Sequence, residues 1–321
     1  MSLRSSYYLP PQQLRAENLD SPLGLHTRNP QLSWKLRWNE RGAAQATVRV
    51  VAAASCSALL NRDYLWDSGE LRTDATEITY AGATLTSRQR VYWQVQVLDE
   101  SNRITQWSEV TFFEMGLLTL EDWNSQATWL GNHGITVPLY RLSFHLDQVR
   151  EDICTARLYS TGIGYYEPRL NGNKLGTQAL APEYTDYDKR IVYNTFDIEK
   201  QLCSGENVLG IILAGGYATR YQYGTPVFRA QLEILYHNGQ QQLVDTASGP
   251  WLVSPGPWRD CDIFNGEWYD ARLEQRGWDA PGFIAHEGIW QEVKPSNPCS
   301  STDAPKGELV GTYAQTVEPP K

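Results

Sequence analysis

Three tyrosines and an arginine share the loop Ala214-Gly-Gly-Tyr-Ala-Thr-Arg-Tyr-Gln-Tyr-Gly-Thr-Pro226. Tyr217, Tyr221 and Tyr223 each join a flat apolar ring to a hydroxyl, and Arg220 adds a planar fork of N–H donors. On a loop hinged by glycines, that set can stack on the face of a sugar ring and bond its hydroxyls. A second stretch, Thr161-Gly-Ile-Gly-Tyr-Tyr-Glu-Pro-Arg-Leu-Asn-Gly-Asn-Lys-Leu-Gly176 followed by Pro182-Glu-Tyr-Thr-Asp-Tyr-Asp-Lys-Arg190, supplies Glu167, Asn171, Asp186, Tyr187 and Asp188. Those oxygens either contact a polar ligand or serve the turns themselves. Asn171 opens an Asn-Gly pair that favours a tight hairpin, and Asp186 suits an Asx-turn. A third stretch is Gly266-Glu-Trp-Tyr-Asp-Ala-Arg272. As a strand it places Glu267, Tyr269 and Ala271 on one face and Trp268, Asp270 and Arg272 on the other. Asp270 and Arg272 then either pair with each other and knit loops together, or reach sugar hydroxyls.

Nothing in the sequence favours a catalytic constellation. His26, His133, His145, His237 and His286 are scattered, no HExxH or GxSxG spacing occurs, and the Gly-rich loop lacks a P-loop lysine. The cysteines, Cys56, Cys154, Cys203, Cys261 and Cys299, are odd in number and form no CxxC pair, which fits neither a zinc site nor a disulfide framework. The formal charge is −9 without a run of Lys or Arg, which argues against nucleic acid or an anionic membrane as partner. No apolar stretch has the length of a signal peptide or a membrane span, so the expectation is a soluble cytoplasmic protein. The 12 Trp and 18 Tyr against 7 Phe suit half-buried sheet faces and stacking surfaces.

The elements that must hold these residues are strands. Helical periodicity is almost absent, and short alternating runs separated by turn residues predict an all-β chain of two sandwiches. Residues 1–117 form the first, with strands at 31–36, 46–53, 77–80, 90–98 and 109–114. Within it Val91, Trp93, Val95 and Val97 share one face. Residues 118–137 read as a connector with a short helical turn. Residues 138–293 form the second sandwich, with strands at 139–146, 155–159, 165–170, 191–197, 207–213, 229–236 and 242–246. Three Asn-Gly pairs mark its turns, at 171–172, 238–239 and 265–266. Pro168 lacks a ladder donor, which implies an edge or a bulge in its strand. Residues 294–321, rich in Pro, Ser and Thr, read as a linker-like tail.

Several separated stretches carry a family resemblance. They are Glu17-Asn-Leu-Asp-Ser-Pro-Leu-Gly24 with Pro30-Gln-Leu-Ser-Trp34, then Leu65-Trp-Asp-Ser-Gly69, and Phe113-Glu-Met-Gly-Leu-Leu118 with Asp122-Trp123. Gly164-Tyr-Tyr-Glu167, Leu170-Asn-Gly172, Thr185-Asp-Tyr187, Lys189-Arg190, Gly205-Glu-Asn207 and Gly266–Arg272 continue them. In this order they resemble the N-terminal, non-catalytic part of bacterial α-L-rhamnosidases, glycoside hydrolase family 78. The resemblance implies a fibronectin type III-like sandwich followed by a jelly-roll, galactose-binding-like sandwich.

In whole enzymes of that family an (α/α) barrel follows and supplies the carboxylates of an inverting hydrolysis. The sequence holds no run of amphipathic helices for such a barrel. The resemblance therefore implies a unit that recognises or positions rhamnose-containing oligo- or polysaccharides. The alternative is a remnant or half-enzyme that docks on a separate glycosidase barrel. Some jelly rolls of the family bind L-rhamnose through a calcium ion held by Asp, Asn and backbone oxygens, a role that would fall to Glu167, Asn171, Asp186, Tyr187 and Asp188 here. At one point the chain departs from its relatives. Where they carry Gly-Asn-Gly-Trp it has Ala214-Gly215-Gly216-Tyr217, which removes a side-chain oxygen.

Overall fold

The computed structural model describes residues 9–38, 44–101, 103–131, 134–293 and 306–312. They fall into two compact units, the first reaching Leu118 and the second running from Thr119 to Gly311. In the first unit, Gln12–Ala16, Gln31–Lys35 and Glu77–Thr79 form a three-stranded antiparallel sheet. A five-stranded sheet holds Trp66–Asp67, Gln45–Ala53, Arg90–Asp99 and Thr111–Glu114, with Leu71–Arg72 beside Gln45–Ala53. The alternation in Arg90–Asp99 is strict, and Val91, Trp93, Val95 and Val97 are fully buried. With Leu32, Trp34, Val48, Val50 and Phe113 they make the core of an immunoglobulin-like sandwich. The buried Trp34 indole N–H is satisfied by Gln45 Oε1 at 3.1 Å, and Gln45 Nε2 in turn donates to the carbonyls of Thr73 and Ala75. A polar side chain inside a core persists only with such partners.

Two sheets face each other across the core of the second unit. One orders Asn173–Lys174, Tyr165–Leu170, Glu206–Ala214, Pro138–His145, Leu252–Pro255 and Gln291–Glu292. The other orders Gln241–Asp245, Val227–Tyr236, Ile153–Ile163, Arg190–Asp197 and Glu308–Gly311, with Leu130–Gly131 beside Val227–Tyr236. Leu142, Leu209 and Ile211 from the first meet Leu158, Phe228 and Leu232 from the second. A separate hairpin, Trp258–Asp262 with Gly266–Tyr269, stands apart from both sheets. The chain is all-β as expected. Among the described residues its α-helices are the short Cys56–Asn61 and Gly216–Arg220, and no helix is long and apolar enough to cross a membrane.

A single residue, Gly164, separates Ile153–Ile163 in one sheet from Tyr165–Leu170 in the other. Its φ is +112°, and a Cβ there would lie 2.4 Å from the Ala214 carbonyl oxygen, so only glycine makes this switch. The Asn171-Gly172 turn has the expected form, with φ of +50° and +84° between the paired Leu170 and Asn173. Pro168 is not on an edge strand, since the short Asn173–Lys174 return flanks it, but its missing donor falls just past the last paired residue of that return. Its carbonyl accepts from Leu175 N on the outer side, and a residue's N–H and C=O point the same way in a strand, so the lost donor faces outward.

The tail contains structure that its composition did not reveal. Glu308–Gly311 is a strand, parallel to Arg190–Tyr193 and in register with it. Four residues among Pro, Ser and Thr carry no legible alternation, so only pairing with a neighbour makes them a strand. The connector contains the short helical turn its sequence suggested, the 3-10 turn Leu120–Asp122 capped by Thr119, and in addition the paired Leu130–Gly131. Residues 132–133, 294–305 and 313–321 of these two segments lie outside the described residues. Because Trp93 is fully enclosed, Trp93→Ala is expected to cost about 3–5 kcal/mol, read as a lowered midpoint in chemical denaturation.

Candidate functional site

The fold brings the two tyrosine-bearing loops together. After Glu206–Ala214 leaves the sheet, Gly216–Arg220 forms one helical turn on which Tyr217 and Tyr221 stack, with centroids 5.6 Å apart and planes at 21°. Gly216 makes this close approach possible. Its φ is +48°, and a Cβ there would sit 2.5 Å from the Tyr165 ring. From the 182–190 loop, Tyr184 packs at 4.9 Å on Tyr217 and 5.8 Å from Tyr221. Tyr165 meets Tyr217 at 6.0 Å, and Tyr223 meets the buried Tyr187 at 5.1 Å. The cluster's outward rings are Tyr184 and Tyr221, 38 % and 55 % exposed. Such faces, ringed by hydroxyls, can stack on a sugar and hydrogen-bond around its rim.

Tyr165 and Tyr223 stay protonated and act as hydrogen-bonding groups rather than charges. Burial pushes Tyr165 up to about 12, with the neighbouring Tyr217 and Tyr184 adding to it. Tyr223 is held at about 12 by its hydrogen bond to Tyr184. Beneath them, Tyr166 Oη lies 2.9 Å from Ser160 O and 3.0 Å from Asn194 Oδ1, while Asn194 Nδ2 donates to Glu183 Oε2 at 3.3 Å. That chain ties the loop bearing Tyr184 to the sheet. Burial raises the Glu183 carboxyl, whose Oε1 is enclosed without a hydrogen-bond partner. The tail strand fixes the far end of the same loop, through Gly307 N to Tyr187 O and Glu308 N to Lys189 O.

The hairpin forms the other border. Phe264, 60 % exposed at its tip, meets Tyr217 at 6.0 Å and carries the Arg220 guanidinium over its ring at 5.2 Å. Beside the platform lies an open groove of about 560 Å³. Ile135 and Leu213 give it apolar surface, and Thr219, Arg220, Gln222, Asp260 and Asp262 give it polar groups. The backbone N–H groups of Asn265 and Phe264, each at 2.8 Å, hold the Asp262 carboxyl below its usual range. Cys261 also borders the groove, but burial raises its thiol, so it is no thiolate nucleophile.

Of the residues singled out in the sequence, Tyr217, Arg220, Tyr221 and Tyr223 belong to this site. Asp186 stands at its rim, accepting from Tyr223 Oη at 3.4 Å while bound to Lys189 Nζ at 2.8 Å and capping its own turn through Asp188 N. Glu167 is engaged elsewhere, by Arg169 at 2.6 Å and Lys174 at 3.2 Å. Asn171 is a turn residue, donating to Gln201 O and Asn207 Oδ1 and accepting from Val208 N. Asp270 and Arg272 do not share a strand face, because the strand ends at Tyr269 and Asp270 caps the 3-10 turn Ala271–Leu273. They do pair, at 2.8 and 2.7 Å, and the hydrogen bonds from Arg272 hold Asp270 at about 2. That pair sits at the base of the hairpin, away from its tip.

Glu167, Asn171 and Asp186, three of the residues expected around a calcium ion, are thus committed to separate partners. Among the described residues no group of three or more His, Cys, Asp or Glu could hold a metal ion. Glu167, Asn171 and Asp186 therefore do not converge on one calcium site. Tyr184, Glu183, Phe264, Asp260 and Asp262 were not singled out in the sequence. Glu183 and Tyr184 lie within the 182–190 stretch but were passed over for its Asp and Tyr187, and no motif marks Asp260, Asp262 or Phe264.

Comparison with known proteins fits this architecture. Residues 151–319 match the family model of the α-L-rhamnosidase N-terminal domain, and residues 11–119 that of a Rha78A-like N-terminal immunoglobulin domain. The chain belongs to the α-L-rhamnosidase family. An α-L-rhamnosidase of Alteromonas sp. (strain LOR) is 33 % identical over 290 residues, which cover 83 % of this chain and 31 % of that protein. The α-L-rhamnosidase structure from Dictyoglumus thermophilum superposes with a TM-score of 0.83 at 29 % identity, over 96 % of this chain and 36 % of that one. The structure of the Streptomyces avermitilis α-L-rhamnosidase shares the fold, with a TM-score of 0.78 at 22 % identity over 94 % of this chain and 46 % of that one. The rhamnosidase-family chain thus spans about one third of the length of the curated relatives it matches, and the match falls on their N-terminal sandwiches.

Two substitutions test this construction. Gly216→Ala is expected to push Tyr165 and Tyr217 apart, read as lost mutual shielding in tyrosine fluorescence or ring-proton shifts with the global fold retained. Glu183 has a folded pKa above its unfolded value, so its contribution to stability is full in acid and is lost as pH rises through the folded value. Glu183→Gln should therefore raise the melting temperature relative to wild type more at pH 7.5 than at pH 4.

Proposed function

We propose that the second unit recognises rhamnose-containing glycans on the Tyr184–Tyr217–Tyr221 platform and so positions them for rhamnoside hydrolysis. The observation that carries this reading is the stacked Tyr217–Tyr221 pair, with Tyr221 more than half exposed and Arg220 one residue away. L-Rhamnose is a deoxy sugar with an apolar methyl and C–H face, which suits an aromatic ring, and with hydroxyls that suit phenols and a guanidinium. The relatives are named α-L-rhamnosidases, and the Streptomyces avermitilis structure is a complex with L-rhamnose. Binding on this reading is direct, without calcium, since Glu167, Asn171 and Asp186 are engaged with separate partners.

Titration calorimetry with L-rhamnose and methyl α-L-rhamnoside tests the proposal. The expected result is measurable binding, unchanged by a calcium chelator and weakened roughly tenfold, about 1–2 kcal/mol, by Tyr217→Ala or Tyr221→Ala. Absence of heat with the intact chain would overturn it. A second reading draws on Trp268, Ile284 and Ile289, which are 68 %, 70 % and 52 % exposed. On that reading the 264–289 region seats a glycosidase barrel and the unit binds no sugar itself. Hydrogen exchange on mixing with a relative's barrel would then protect residues 264–289 and leave 184–223 unchanged.

A further inference from the structure

We infer that the groove beside the tyrosine platform is a second sugar subsite, and that the unit's ligand is a neutral oligosaccharide of two or more residues. This rests on the reading of the platform as a sugar site. The short helix Gly216–Arg220 is a wall common to both. Tyr217 and Tyr221, one turn apart, stack on its platform side. Gly216, Thr219 and Arg220 line the groove on its other side. A ring held on the platform therefore has its neighbour's position at the mouth of the groove.

The hairpin spans both subsites from the opposite border. Its Asp260 and Asp262 line the groove, while Phe264 at the tip touches Tyr217 on the platform and Arg220 at the divide. At about 560 Å³ the groove falls within the ~300–1,000 Å³ typical of small-ligand sites, ample beyond the ring already stacked outside it. Its chemistry is that of a polyol pocket. Apolar Ile135 and Leu213 suit C–H faces, and a hydroxyl, an amide, a guanidinium and two carboxylates can each give or take a bond from sugar hydroxyls. Asp262 is already fixed, since its Oδ1 accepts from Phe264 N and Asn265 N, and Oδ2 stays outside those two bonds. Two carboxylates against one guanidinium also disfavour a ligand bearing a carboxylate of its own, because like charges at short range repel. A uronate is thereby rejected and a neutral sugar accepted.

The test is calorimetry of the full chain with L-rhamnose, an α-linked rhamnose disaccharide, and a disaccharide of rhamnose and galacturonate. The neutral disaccharide is expected to bind about tenfold more tightly than L-rhamnose, a gain of about 1.4 kcal/mol, and the acidic one no more tightly than L-rhamnose. Asp260→Asn and Asp262→Asn should each shrink the disaccharide's advantage over L-rhamnose. Asn can still cap the hairpin turn, and Asp260→Asn avoids that turn altogether, so the pair separates lost binding from lost structure. Equal affinity for one and two neutral residues overturns the groove subsite and leaves the platform standing. An acidic disaccharide that binds as well as the neutral one overturns the charge selection. No heat with any of the three overturns the platform and the groove together.

Discussion

A single glycine carries the chain from one sheet of the second unit to the other. Gly164 must adopt a φ of +112° against the Ala214 carbonyl, a position that no side chain can share. From that crossing follow the pairing of Tyr165 with Ala214 and the departure of the chain into Gly216–Arg220. Gly216 then lets the helix settle on Tyr165. The platform exists because two glycines, fifty-odd residues apart in the chain, permit two backbones to meet at one corner of the sandwich.

Around that corner each contributing loop is held by its own bonds before any ligand arrives. Asp186 caps the turn carrying Lys189, the Glu308–Gly311 strand pins the loop's end, and the Tyr166–Asn194–Glu183 chain anchors its start. Pre-ordered loops spare a ligand the entropy of ordering them, which is where much binding energy is otherwise lost. The buried Glu183 carboxyl is the costly member of this arrangement, since burial disfavours its charged form.

Much of the architecture was legible in the sequence because strands write themselves in period two. Arg90–Asp99 alternates without a fault, and Tyr165–Leu170 has the bounds its pattern predicted. Asn171-Gly172 announced its turn through the residue types that positive φ demands. The site was half legible. Tyr217, Arg220, Tyr221 and Tyr223 stood out because aromatic and cationic residues crowd one glycine-hinged loop. Glu167 and Asp270 stood out equally, yet each is neutralised by an arginine two residues away, and composition cannot distinguish a paired carboxylate from an available one.

The sequence by itself therefore determined the longer strands, the Asn171-Gly172 turn, the family and the loop that carries most of the aromatic surface. These are local matters of side-chain alternation, backbone freedom and residue type. Only the tertiary structure decided that Tyr184 joins that loop, that Phe264 and the two aspartates border a groove beside it, and that a four-residue stretch near the end of the chain is a strand. Those residues owe their roles to partners far along the chain. Proximity of that kind comes from how two sheets close on one core, and no local pattern encodes it.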